Sequence, residues 1–92
     1  MTDDIKKIID VVFIAGGKFH DIDFARLEIL KLLAEDDRMK VRVFEDYSNL
    51  HAIEKADFLI TYTCDVRPTL EQQRVLKDYV SSGNRWLALH GT

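Results

Sequence analysis

The stretch Ile8-Ile9-Asp10-Val11-Val12-Phe13-Ile14-Ala15, closed by Gly16-Gly17, decides the fold. Its β-branched, nearly continuous apolar run does not alternate, the pattern of a strand covered on both faces, and it predicts a central strand of a parallel sheet. Working outward, Asp57-Phe58-Leu59-Ile60-Thr61-Tyr62-Thr63 is a second run of the same buried kind. Val41, Val43 and Phe44 make a shorter strand after the charged break Glu35-Asp36-Asp37-Arg38, and Trp86-Leu87-Ala88-Leu89 makes a fourth. Trp86, just inside that strand, is expected to pack under a helix.

Between the strands the period changes. Phe24, Leu27, Leu30 and Leu33 recur at three-residue steps, widened by Ile29, Leu32 and Ala34, which predicts a helix whose apolar stripe belongs to the core. Residues 45–49 read as a loop and residues 50–56 as a short helical turn. Thr69-Leu70-Glu71-Gln72 has the form of a capping box behind Pro68. The helix it opens carries Val75, Leu76, Tyr79 and Val80 as a core face and closes at Ser81-Ser82-Gly83. Strand, helix, strand, turn, strand, helix, strand then assemble most economically as an α/β doubly wound parallel sheet in spatial order 2-1-3-4, one domain with no linker and no repeat.

Composition limits what such a domain does. The 92 residues are 47% hydrophobic and 32% charged, with one proline and four glycines, as in a globular domain rather than a fibrous, disordered or disulfide-built one. Thirteen basic against sixteen acidic residues give a net charge of −3 without a basic tract, which argues against nucleic acid as a partner. Cys64 is the single cysteine and has no internal partner, which fits a reducing, cytoplasmic setting. Neither a signal peptide nor a membrane span is read at the N-terminus, where Asp10 interrupts a short apolar run.

Parallel connection sends the polar loops to the carboxyl edge of the sheet, where ligands bind in such folds. That rim is expected to collect Gly16, Gly17, Lys18, His20 and Asp21, then Asp46, then Cys64 and Asp65, then His90 and Gly91. Gly16-Gly17 permits a tight turn and close backbone approach to a ligand, but stands where a phosphoreceiver domain would want paired acids. His90, presented by a strand and followed at once by glycine, is placed to act as acid, base or metal ligand, or to bond a backbone carbonyl at the strand end. His20 and Asp21 are alternatively a solvated loop residue and a turn or cap carboxylate. Cys64, Asp46, Asp65 and His51 have simpler readings, as packing for the thiol and solvated surface for the others.

Taken in order, Ala15-Gly16-Gly17-x-x-His20-Asp21, the strand Ala56-Asp57-Phe58-Leu59-Ile60, Leu70-x-x-Gln73, Tyr79-Val80-x-x-Gly83 and Leu87-Ala88-Leu89-His90-Gly91 resemble the trehalose-utilisation (ThuA-like) family. The resemblance implies a flavodoxin-like fold related to class I glutamine amidotransferases, with His90 where those enzymes carry their catalytic cysteine. It implies a carbohydrate role on a trehalose-type, sugar-derived small molecule. By that resemblance His20, Asp21 and His90 would be catalytic; from their place on the rim, Gly16, Gly17, Asp65 and Gly91 are expected to contact substrate. Two imidazoles and a carboxylate leave a divalent metal open as a cofactor. Ala88, Asn84 and Thr92 depart from the residues usual in the family at those places. Family domains run to about twice this length, so the resemblance further implies a partial domain stopping after its fourth strand. The alternatives are a non-catalytic sugar-binding or interaction module, and an inactive fragment that self-associates through an uncovered sheet edge.

Overall fold

Six successive residues of the first strand, Val11 to Gly16, are buried, and the fold is built around them. The computed structural model describes residues 7–17, 22–64 and 66–89. Along the chain run β1 (Ile9–Gly17), α1 (Ile22–Leu33), β2 (Met39–Phe44), α2 (Leu50–Lys55), β3 (Phe58–Cys64), α3 (Leu70–Ser81) and β4 (Arg85–Ala88). All strand pairs are parallel and the order is β2-β1-β3-β4, as the sequence predicts. With α1 on one face and α2 and α3 on the other, the architecture is a flavodoxin-like α/β sheet.

Because side chains alternate along β1, one strand feeds two cores. Val11, Phe13 and Ala15 join Ile60 beneath Ile22, Ile29, Leu30 and Leu33 of α1. Val12 and Ile14 join Leu59 beneath Ala52 and Ile53 of α2 and Leu76 and Tyr79 of α3, with Trp86 of β4 against the same cluster. The amino ends of β1 and β3 are clamped reciprocally: the Asp57 amide donates to the Asp10 carbonyl at 2.8 Å, and the Asp10 amide to Asp57 Oδ2 at 2.9 Å. No helix among the described residues is long and apolar enough to cross a membrane.

The α1 stripe is corrected. Phe24 is 59% and Leu27 51% exposed, and the sheet-facing side is instead Ile22, Ile29, Leu30 and Leu33. A helix advances about 100° per residue, so each three-residue step slips back by about 60° and the series from Phe24 to Leu33 winds half-way round the axis. Only its C-terminal half can face the sheet. In α3 the buried side chains are Leu76 and Tyr79, with Val75 half-buried, whereas Val80 lies at the margin of that face and is 46% exposed. The capping box forms as predicted: Thr69 Oγ1 accepts from the Gln72 amide at 3.1 Å and Gln72 Oε1 from the Thr69 amide at 2.8 Å. Asn49 caps α2 in a similar way, its Oδ1 accepting from the Ala52 amide.

Tyr79 joins α3 to the chain entering β3. Its hydroxyl donates to the Ala56 carbonyl at 2.9 Å, and burial, followed by the charge of Asp57, pushes its pKa up to about 12. The folded value lies above the ordinary phenol value of about 10, so this group's stabilisation is complete below about pH 10 and is lost as pH rises through the folded value. Tyr79→Phe is expected to cost about 1–3 kcal/mol at neutral pH, by leaving the Ala56 carbonyl unpaired, and to flatten the alkaline decline. Urea melts of both proteins from neutral to alkaline pH check this; the same alkaline slope in both would refute it.

Candidate functional site

At the carboxyl edge three chain segments converge more tightly than side chains would allow. Gly16 pairs with Thr63 and Gly17 with Cys64, so both glycines are the last residues of β1 rather than the turn after it. A Cβ on Gly16 would lie 2.2 Å from the Glu45 carbonyl oxygen; one on Gly17 would lie 1.9 Å from that of Cys64, and Gly17 has φ +114°. The close approach that these glycines permit is therefore to neighbouring backbone, which draws the ends of β1, β2 and β3 together beneath the rim.

The loop after β2 is held by its own side chains. Asp46 Oδ1 accepts from the Ser48 amide at 3.0 Å and from the Ser48 hydroxyl at 2.6 Å, and these bonds, the hydroxyl first, lower its pKa. Asp46 is thus an exposed carboxylate spent on shaping a turn. The next residue, Tyr47, is buried in the core shared with Val12, Ile14 and Ile53, which anchors the loop. Cys64, at the end of β3, is half-buried with a free thiol, and His51 is exposed on α2.

On β3, Thr61 and Thr63 are fully buried. Thr61 accepts twice from the β4 segment: its carbonyl from the Leu89 amide at 2.8 Å, and its Oγ1 from the Trp86 indole Nε1 at 2.9 Å. Trp86 therefore packs on the face of α2 and α3, as predicted from its position, and carries a polar tether as well. Tyr47 and the two threonines were not singled out from the sequence. Their signals are faint: one aromatic inside a polar loop, and hydroxyls on alternate residues of an apolar strand.

Of the residues proposed from sequence for the site, Gly16 and Gly17 fall within the described structure; His20, Asp21, Asp65, His90 and Gly91 lie outside the described residues. The described residues that precede them, Gly17, Cys64 and Leu89, all leave the sheet at the carboxyl edge. Among the described residues no group of three His, Cys, Asp or Glu side chains is arranged to hold a metal ion. A groove of about 190 Å³ lined by Glu54, Val75, Asp78, Tyr79, Ser82 and Asn84 lies where α2 and α3 end, at the amino edge and away from the rim. Comparison with protein-family models, curated proteins and solved structures finds no match to this chain.

The glycines give a direct check on the rim. Gly83, with φ +92°, has nothing within 4 Å of its would-be Cβ, so Gly83→Ala is expected to cost only the backbone penalty, about 1–3 kcal/mol. Gly17→Ala adds the collision with the Cys64 carbonyl and is expected to abolish cooperative melting. Equal losses of melting temperature for the two variants would show that the rim is not crowded.

Proposed function

We propose that this chain is a ThuA-like protein of carbohydrate utilisation that acts on or binds a trehalose-type, sugar-derived small molecule at the carboxyl edge of its sheet. One observation carries this reading. The parallel order β2-β1-β3-β4 brings Gly17, Cys64 and Leu89 out at a single edge, and these run directly into the segments bearing His20 with Asp21, Asp65, and His90 with Gly91. In this proposal His90 is the general acid/base or a metal ligand, His20 its partner, and Asp21 orients an imidazole or receives sugar hydroxyls. Asp65 and Gly91 would contact substrate together with the exposed end of β1 at Gly17, while the buried Gly16 packs against the Glu45 backbone beneath the rim. A cytoplasmic location belongs to the same proposal, with Cys64 kept as a thiol.

His90→Ala is expected to lower trehalose turnover at least a hundredfold if His90 moves a proton, with melting unchanged. Product analysis and calorimetric titration with trehalose read turnover and binding separately. Saturable binding without product would make the protein a binding module; indifference of both readouts to the substitution would remove His90 from the site.

Self-association belongs to the proposal too. Lys40 and Arg42 are exposed along β2, an edge protected by charge, whereas β4 beyond Arg85 offers exposed Leu87 and Ala88. A second copy pairing at β4 is expected to double the mass by light scattering, and Leu87→Lys to restore the monomer. Monomer mass at every concentration would eliminate this contact.

A further inference from the structure

We infer that β4 joins a second copy of this chain about a two-fold axis at Leu87, the two β4 strands running antiparallel. The inference rests on the self-association proposed above and makes it specific; it does not depend on the sugar site. No strand among the described residues lies beyond β4, so its outer edge ends the sheet. Leu89 turns its amide to the Thr61 carbonyl of β3, and the direction of backbone groups alternates along a strand. Arg85, Leu87 and Leu89 thus address β3, whereas the N–H and C=O of Trp86 and Ala88 point to the open edge.

Trp86 and Ala88 flank Leu87 symmetrically, which makes this edge complementary to itself. A half-turn about Leu87 sets Trp86 of one copy opposite Ala88 of the other, each donating to and accepting from its opposite. Leu87 then meets its own counterpart in a non-hydrogen-bonded pair, where facing side chains lie closest and Cα atoms are about 4.5 Å apart. The Leu87 side chain, 46% exposed in the single copy, is covered by that contact. Charge and length select this register over its neighbours. An axis at Trp86 would bring the two exposed Arg85 side chains to diagonal positions about 7–8 Å apart, like charge against like. With the axis at Leu87 they are offset by about 14 Å along the strands. An axis at Ala88 would carry Arg85, Trp86 and Leu87 past the end of the other copy's β4.

An edge of four residues makes a contact of the small, transient class, so the experiment traps it covalently. In a Cys64→Ser background, Leu87→Cys is expected to form a disulfide-linked dimer under mild oxidation at least tenfold faster than Ala88→Cys. Facing Cα atoms at Leu87 lie within the span of a disulfide, about 4.4–6.8 Å, and those of Ala88, at about 7–8 Å, lie beyond it. Both side chains are exposed, and melting of the two variants is expected to match that of the background protein. Leu87→Lys and Leu87→Glu are each expected to be monomers by light scattering and, mixed in equal amounts, to restore the doubled mass. If the parent doubles its mass, equal cross-linking of the two cysteine variants or a mixture that stays monomeric would overturn the two-fold and leave self-association in place. Monomer mass without cross-linking at every concentration would overturn both.

Discussion

Everything in this molecule hangs on β1 being enclosed on four sides. β2 and β3 satisfy its backbone laterally, while α1 on one face and α2 with α3 on the other exclude water from its side chains. A strand so placed must be apolar on both faces, and its neighbours must run parallel to it, because each connection crosses over through a helix. From that follows the geography of function: the loops that leave the strands do so together, at the carboxyl edge.

That constraint explains why the architecture was legible in the sequence. Val11 to Ala15 cannot be a half-exposed strand, and the capping box at Thr69 and Gln72 marks a helix start by chemistry local to four residues. Strand order followed from those two kinds of signal plus the economy of parallel crossovers. What stayed illegible depends on tertiary packing. Whether Phe24 or Ile22 faces the sheet is decided by the angle at which α1 docks, and both choices are apolar. Whether Tyr47 is a loop residue or a core residue is decided by the space between β1 and α2, which no periodicity records.

The candidate site divides similarly. That Gly16 and Gly17 allow close backbone approach was readable from residue type; that the approaching backbone belongs to Glu45 and Cys64 was not, because it depends on which strand ends meet. Asp46 was recognisable as a rim carboxylate, and its engagement with Ser48 is the ordinary behaviour of an aspartate two residues ahead of a donor. His20, Asp21, Asp65, His90 and Gly91 enter through their place in the sequence, next to described strand ends.

The clamp between Asp10 and Asp57 joins residues 47 positions apart, and no two neighbouring strands of the sheet are linked by a hairpin. Every rung of the ladder therefore requires closure of a long loop before any enthalpy is returned, a cost that local helix formation in α1 or α3 offsets only in part. Such a chain folds on the slower side for its size, in milliseconds rather than microseconds, and its rate is governed by how often the sequence around Asp57 finds the one around Asp10. During that search the most apolar strands are the ones left without partners, so the same central strand that organises the native state is the segment most in need of protection while the protein is being made.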